Sequence, residues 1–237
     1  MTVQYDIASQ FGWRFITEPI VNKNREIFAV EVLTRFATPG SPLLHLSKMS
    51  INLKKELLAA QLIQIVNKRM FFEENNILCS INIDADMASI LITEPEVSGI
   101  ISSCHFIRLE IYESFHGIVD GFRNPLLKAL HSMHPLWLDD FGSGSSNVIS
   151  LQSGLYERVK IDKAYFWKYH DYPEMKTLVN KLGTFTQGVI IEGVEREDHF
   201  DIFNDTKVLY QGYLFKHVPL NKIEDLIKPE SDYKFLT

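Results

Sequence analysis

The sequence predicts an α/β fold, a closed (β/α)8, TIM-like barrel whose first two strands form an antiparallel hairpin. Apolar runs of strand length alternate with longer segments of helical period, which is typical of parallel strands joined by crossover helices. About eight such strands fit within the 237 residues. Polar residues stand at the ends of many strands rather than at one or two, which favours a closed barrel over an open doubly wound sheet.

The apolar runs give the strands in chain order. We predict Trp13–Val21, Glu26–Leu33, Ile77–Ile83, Phe106–Ile111, Pro135–Asp139, Arg158–Ile161, Gly188–Ile191 and Val208–Tyr210. Residues 22–25 join the first two strands and are too few for a crossover helix, so this pair should be antiparallel.

Apolar positions at helical spacing give the longer elements between the strands. We predict helices at Ile51–Phe72, Asp171–Phe185 and Arg196–Phe203. Residues 37–48 hold two prolines and a glycine and are expected to form a loop, and residues 228–237 a tail. We expect one domain over residues 1–237, with a core of about 13–227 and no flanking sensor, receiver or cyclase segment.

Composition limits the class of partner. Lys and Arg total 24 against 30 Asp and Glu, a net charge of −6, which argues against a groove for a DNA or RNA polymer. A small phosphate-bearing ligand is compatible if metal ions supply positive charge. The chain starts without a signal-peptide pattern, has no apolar run of membrane-spanning length, and holds only Cys79 and Cys104. We therefore expect a cytoplasmic protein without membrane insertion.

Carboxylate and amide side chains at the strand ends indicate a metal centre. An apolar run that stops on a carboxylate needs a cationic partner. Oxygen ligands without a neighbouring His or Cys favour Mg²⁺ or Mn²⁺, and these residues are numerous enough for two ions. The candidates are Glu31, Asn82, Glu110, Asp139, Asp140 and Glu192.

Each motif also has a structural interpretation of its own. Adjacent aspartates on a regular strand point to opposite faces, so both Asp139 and Asp140 reach one centre only if the strand ends there. A helix N-cap followed by a solvated loop is the alternative. Lys160 could position water or stabilise a phosphate, or it could pair with Asp162 at the surface.

Glu195 could simply be an acidic residue at a helix start, and Gln211 could simply cap a turn. Together, however, the residues follow successive strand ends, which chance does not explain.

The ordered set EVLTR, SINID, LEIYE, DDFGSG, KID, EGVE and QG resembles the EAL-domain family of cyclic di-GMP phosphodiesterases over about residues 13–227. The resemblance implies a barrel that hydrolyses cyclic di-GMP to linear pGpG with two Mg²⁺ or Mn²⁺ ions, lowering a second messenger in pathways such as biofilm control. It also implies a homodimer formed through helices beside the DDFGSG loop.

The resemblance assigns roles residue by residue. The ligands it implies for one ion are Glu31, Asn82, Glu110 and Asp139. Those for the other are Asp139, Asp140 and Glu192, with Asp162 close to or on it. Lys160 orients the attacking water and acts with Glu31 and Gln211 as the catalytic set. The substrate contacts are Arg35 to phosphate, Gln211 and, by position, Glu18. Glu113 and Glu195 would stabilise the loop.

Several positions depart from the family pattern. Val32 replaces the signature alanine, Glu18 replaces the usual glutamine before Pro19, and Tyr112 replaces a threonine. The segment after Arg35 is short and lacks the usual proline-containing helix start. None of these changes removes a proposed ligand or Lys160. The alternatives are a catalytically weak or silent cyclic di-GMP receptor, a protein-interaction domain, and a different two-metal phosphatase.

Overall fold

Eight strands close into a barrel, with helices between most of them. The computed structural model describes residues 12–143, 148–203 and 208–228. The barrel strands are β1 Trp13–Val21, β2 Ile27–Phe36, β3 Leu78–Ile83, β4 Ile107–Tyr112, β5 Leu136–Phe141, β6 Tyr156–Ile161, β7 Val189–Ile191 and β8 Val208–Gln211. A short strand, β9 Val218–Pro219, adds to the rim.

The strand order confirms the predicted mixed barrel. Strands β2 to β8 are parallel neighbours in chain order. Strand β1 closes the ring by pairing antiparallel with both β2 and β8. Residues Ile16 and Thr17 of β1 also pair with β9, and Thr17 Oγ1 donates to the Val218 carbonyl at 2.8 Å.

The turn between β1 and β2 is held by a single amide side chain. Asn22 Oδ1 accepts from the backbone N–H groups of Asn24 at 2.8 Å and Glu26 at 3.0 Å. Arg25 takes a positive φ of 63° to complete the reversal. An asparagine that bonds to nearby backbone groups is a common means of closing a tight turn, so four residues suffice to make the hairpin antiparallel.

The helices cover the outside of the barrel. They are α1 Pro42–Lys48, α2 Ile51–Val66, α3 Arg69–Glu74, α4 Ala85–Thr93, α5 Pro95–Ile101, α6 Pro125–Met133, α7 Val148–Gln152, α8 Lys163–Tyr169, α9 Pro173–Leu182 and α10 Glu197–Asp201. Two 3-10 helices lie at Ile118–Arg123 and Leu220–Leu226. Among the helices in these described ranges, none is both long and apolar enough to cross a membrane.

The predicted loop at residues 37–48 is confirmed for residues 37–41 and wrong for residues 42–48. Helix α1 occupies Pro42–Lys48, and Ser41 caps it by accepting from the Leu44 N–H at 3.2 Å. Pro42 is the first helical residue, where its missing N–H leaves no bond unmade. The segment after Arg35 therefore does contain a proline-started helix. The prediction failed because residues 37–48 hold two prolines and a glycine, and because α1 has only seven residues, none of them buried.

The predicted helix Ile51–Phe72 is interrupted. Helix α2 ends at Val66, and α3 starts at Arg69 after Lys68, which has non-helical angles (φ −103°, ψ 13°). Lys68 Nζ instead donates to the Asn221 carbonyl at 2.9 Å and to Glu224 at 2.8 Å. The separate α3 brings Phe72 into the core, where its ring stacks on Phe106 with centroids 4.8 Å apart. The break between α2 and α3 therefore allows Phe72 to pack on Phe106, a contact that the hydrophobic periodicity of the segment does not indicate.

The other helix predictions differ only at their ends. Asp171–Phe185 is found as α9 and Arg196–Phe203 as α10. A proline at the first position and a glycine after the last helical residue delimit α9. Of the predicted tail, only residue 228 lies within the described residues.

Candidate metal centre

The polar residues predicted at strand ends gather at the carboxyl end of the barrel. There they line or lie beneath a cavity of about 350 Å³. Lys160 and Glu110 form its floor, being 0% exposed. The predicted site residues that line it are Glu18, Glu31, Arg35, Asn82, Asp139, Asp140, Asp162, Glu192, Glu195 and Gln211.

Lys160 is surrounded by carboxylates. Its Nζ lies 3.0 Å from Glu31 Oε2, 2.8 Å from Glu110 Oε2, 3.2 Å from Asp139 Oδ1 and 2.8 Å from Glu192 Oε1. The alternative of a surface lysine paired with Asp162 is therefore wrong. Burial lowers the pKa of Lys160, but these carboxylates outweigh burial and hold that pKa well above its usual value. The ammonium group stays charged inside the barrel.

Glu31 is held by three neighbouring side chains. Asn82 Nδ2 donates to its Oε1 at 2.6 Å, and Gln211 Nε2 donates to its Oε2 at 2.6 Å. Burial raises the pKa of Glu31, whereas Lys160 and the donated hydrogen bonds lower it, and the net shift is downward. Glu31 is thus an anion at neutral pH. Its neighbour Val32 packs into the core, and the Val32 carbonyl accepts from Gln61 Nε2 at 2.9 Å.

The chain turns at the second of the two adjacent aspartates. Asp140 has a positive φ of 59°, and its N–H donates to Asp139 Oδ1 at 3.0 Å. Gly142 also has a positive φ, 98°, and a Cβ there would lie 2.5 Å from the Tyr165 ring. The expectation that the strand ends here is wrong, because β5 continues to Phe141, which pairs with Ile161. A register shift between Leu138 and Phe141 interrupts the strict alternation of side chains instead, so both carboxylates reach the same side. Residues 144–147 of this loop lie outside the described residues.

Three carboxylates form a cluster suited to a cation. Ligand oxygens of Asp139, Asp140 and Glu192 lie within 4.8 Å of one another. Asp162 lines the same cavity, but its Oδ1 caps α8 by accepting from the Tyr165 N–H at 2.9 Å. Asp162 therefore has a structural role in addition to any part in metal binding.

Unlike Glu31, the other carboxyl groups around Lys160 resist ionisation. Burial and the charge of Glu31 raise the pKa of Glu110 well above its usual value. Burial and Asp139 raise the pKa of Asp140 to about 7, and burial, opposed by Lys160, raises that of Glu192 to about 8. Burial raises the pKa of Asp139 as well. One ammonium group thus falls short of balancing this many carboxylates.

The donor set fits divalent metal ions. Asn82 Oδ1 and Glu110 Oε1 are buried side-chain oxygens without a hydrogen-bond partner within the described residues. Unpaired buried oxygens are costly, and a bound cation would satisfy both. The oxygen-rich set around them, without His or Cys, matches the preferences of Mg²⁺ and Mn²⁺.

The remaining predicted residues lie at the edge of this centre. Arg35 Nη2 donates to Glu18 Oε1 at 3.0 Å. Glu113 accepts from Ser143 Oγ at 3.1 Å, next to the DDFG turn. Glu195 is exposed and lines the cavity. The backbone at Gln211 packs closely on Val194, whose N–H donates to the Gln211 carbonyl at 3.0 Å. The next residue, Gly212, has no room for a side chain, because a Cβ there would lie 2.3 Å from the Val194 carbonyl oxygen.

An apolar wall of the cavity was missed by sequence reasoning. Leu43 and Leu46 come from α1, Met87 from α4, and Tyr213 follows β8. Leu43 and Tyr213 are more than half exposed, a property that the sequence does not show. Such a wall beside a charged centre suits a ligand with both apolar and anionic parts.

Comparisons with known proteins agree with this geometry. The model of the EAL domain family matches residues 9–217. The cyclic di-GMP phosphodiesterase PdeH of Escherichia coli is 28% identical over 89% of this chain and 86% of its own. The anti-FlhC(2)FlhD(4) factor YdiV of Salmonella arizonae is 23% identical over 89% and 93%.

Solved structures share the fold. The crystal structure of the EAL-like domain protein YdiV has a TM-score of 0.82 at 22% identity, covering 92% of this chain and 97% of that one. The EAL enzyme Bd1971, in a form bound to cAMP and cyclic di-GMP, has a TM-score of 0.74 at 24% identity, over 93% and 66%.

Proposed function

This chain belongs to the EAL domain family, and from that premise we propose that it hydrolyses cyclic di-GMP to linear pGpG with two divalent cations. The observation that carries the proposal is the convergence of carboxylates from different strands on one buried ammonium group. A purely structural cluster would balance its charges. Here the excess carboxylates and the unpaired oxygens of Asn82 and Glu110 suit additional cations.

Two overlapping ligand sets are proposed. Glu31, Asn82, Glu110 and Asp139 would hold one ion. Asp139, Asp140 and Glu192 would hold the other, with Asp162 beside it. When bound, the ions would acidify the attacking water and stabilise charge on the attacking and leaving oxygens. The preference between Mg²⁺ and Mn²⁺ is part of the proposal, and both are oxygen-seeking cations.

The chain's own residues would position the reactants. Lys160 holds Glu31, Glu110, Asp139 and Glu192 in fixed places and points its ammonium group at the centre, where it would orient water. Arg35, at the cavity mouth, would bind a phosphate oxygen through its guanidinium group. Gln211 anchors Glu31 and leaves Oε1 unpaired within the described residues, so it can accept a further hydrogen bond. The apolar wall would pack against a base.

A nucleotide-release assay tests the proposal. The purified protein should convert cyclic di-GMP to pGpG with Mn²⁺ or Mg²⁺ and stop when EDTA is added. Glu31→Gln should abolish turnover, because it removes a charged ligand while keeping the size of the side chain. Glu73→Gln is the matched control, since Glu73 lies in an exposed pair with Arg69. Absence of cleavage by the folded wild-type protein with either metal would refute the proposal.

The second candidate is a domain that binds a protein partner or cyclic di-GMP without cleaving it. The name of YdiV, an anti-FlhC(2)FlhD(4) factor, supports a protein-binding role in a relative of similar length. The same assay separates the candidates: cyclic di-GMP bound and unchanged identifies a receptor. A generic phosphodiester cleaved as fast as cyclic di-GMP would instead identify another two-metal phosphatase.

A homodimer and a cytoplasmic location complete the proposal. Trp167 on α8 and Tyr172 after it are 41% and 57% exposed, close in sequence to Asp162 at the centre. Cys79 and Cys104 are buried free thiols, which suits a reducing compartment. Sedimentation over a range of protein concentrations should show a dimer, and a monomer at every concentration would contradict this part.

A further inference from the structure

Glu18 and Arg35 form an ion pair at the mouth of the cavity. Arg35 Nη2 donates to Glu18 Oε1 at 3.0 Å, with the side chains 33% and 17% exposed respectively. The other oxygen of Glu18, Oε2, lies 3.4 Å from Gln211 Nε2. Gln211 in turn donates to Glu31. A chain of contacts therefore links the mouth of the cavity to the candidate metal centre.

The fold does not require an acid at position 18. Glu18 lies directly opposite Glu31 in the β1–β2 register, and like charges at such a position are unfavourable. Arg35 and the Gln211 amide offset this repulsion from either side. A neutral residue at position 18 would avoid the repulsion altogether, so the carboxylate is better explained by what it does to Arg35.

We propose that Glu18 determines the affinity of the site for anionic ligands, because it occupies Arg35 as an internal anion that a ligand phosphate must displace. This inference rests on the proposed function for the identity of the ligand. Among the described residues lining the cavity, the cationic side chains are Arg35 and Lys163. Glu18 thus occupies one of these two cationic side chains, which act on a phosphate in addition to the proposed metal ions.

Removing the charge of Glu18 should strengthen ligand binding. Glu18→Gln keeps the length of the side chain but no longer neutralises Arg35. The KM for cyclic di-GMP should fall about three- to tenfold, the range expected for a partly exposed ion pair and its repulsion of the ligand.

A double-mutant cycle separates this role from a general change of charge. The proteins are wild type, Glu18→Gln, Arg35→Ala and the double variant. The fall in KM should occur only while Arg35 is present. Glu197→Gln is the control, because Glu197 pairs with Arg25 outside the cavity. An unchanged or higher KM in Glu18→Gln, or the same fall without Arg35, would overturn the proposal.

A ligand-free experiment keeps this test independent of the proposed function. Phenylglyoxal should modify Arg35 at least threefold faster in Glu18→Gln than in wild type, measured by peptide mass spectrometry. Glu197→Gln should accelerate modification of Arg25 and leave the modification rate of Arg35 unchanged.

If the wild-type protein does not act on cyclic di-GMP, calorimetry with inorganic phosphate replaces the measurement of KM. Tighter phosphate binding in Glu18→Gln, dependent on Arg35, supports the role of Glu18. Equal phosphate binding or unchanged Arg35 reactivity overturns it.

Discussion

Lys160 is the residue on which the charge balance of the centre depends. A fully buried ammonium group is stable only if carboxylates compensate it, and four do so within 3.2 Å. The dependence is mutual, because removing one partner of a buried ion pair leaves the other charge uncompensated. Lys160 therefore holds the carboxylates together in the metal-free protein, and its second, proposed function is to orient the attacking water.

Replacing Lys160 separates these two functions. Lys160→Met should lower the free energy of unfolding of the metal-free protein by about 3 kcal/mol, and Mn²⁺ should restore most of the loss. The turnover rate should fall on the order of a hundredfold or more, because one positioned donor is lost. Denaturant titration, calorimetry with Mn²⁺ and the nucleotide assay measure the three effects. If this variant loses Mn²⁺ binding, the role given to Lys160 is wrong.

The residues of the centre were predictable to different degrees. Glu31, Asn82, Glu110 and Asp139 follow or end apolar runs, so their convergence is a consequence of parallel strands in a barrel. The burial of Lys160 was not predictable, because a lysine two residues before an aspartate is usually solvated. The pairing of Glu18 with Arg35 depends on the β1–β2 register, which a sequence does not specify residue by residue.

At the scale of elements, α8 connects helix formation to the metal centre. It follows β6 directly, and its N-cap Asp162 also lines the cavity. A side chain that caps a helix has its position fixed by the helix itself. The same carboxylate can thus stabilise α8 with one oxygen and face a cation with the other.

Two substitutions of Asp162 distinguish capping from metal binding. Asp162→Asn keeps an oxygen that can accept from Tyr165 N–H, so thermal stability should change little, while Mn²⁺ affinity and turnover fall. Asp162→Ala should also lose about 1 kcal/mol of unfolding free energy, the usual effect of removing an N-cap. Thermal denaturation and Mn²⁺ titration provide the comparison. Equal Mn²⁺ affinity in wild type and Asp162→Asn would restrict Asp162 to capping.

The elements themselves show where sequence patterns stop being informative. The barrel strands were found because each contains a short apolar run, of which β7 Val189–Ile191 is the clearest, with every residue buried. Helix α1 was missed because two prolines and a glycine in residues 37–48 indicate a loop, and its seven residues are too few to show a helical period. The break between α2 and α3 was missed because Lys68 leaves the helix to contact Asn221 and Glu224, residues that are distant in sequence. The hydrophobic periodicity of a segment does not indicate contacts with residues that are distant in sequence.

At the scale of the whole molecule, the barrel concentrates negative charge at one end of its axis. In the metal-free protein, burial and neighbouring carboxylates raise the pKa of Asp140 to about 7 and that of Glu192 to about 8. The stabilisation from these raised pKa values is complete below the ordinary values of 3.8 and 4.5, and it is lost progressively as pH rises from there to about 7 for Asp140 and about 8 for Glu192. Metal-free protein should accordingly become less stable over this interval.

Metal binding should therefore depend on pH in the opposite sense. Cations must displace protons from Asp140 and Glu192, so Mn²⁺ affinity should rise between pH 6 and pH 8.5 and binding should release protons. Calorimetry in buffers with different ionisation enthalpies measures the number of protons released. The stabilisation of the fold by Mn²⁺ should increase over the same interval. Affinity that is independent of pH would contradict these protonation states.

The most direct test of the central claim is the number of metal ions that the barrel holds. Equilibrium dialysis with Mn²⁺ at pH 8, followed by elemental analysis, should give two ions per chain for the wild type. Asp139→Asn should bind fewer, because Asp139 is proposed to belong to both ligand sets. A folded wild-type protein that binds no Mn²⁺, or an Asp139→Asn variant that still binds two ions with equal affinity, would contradict the account.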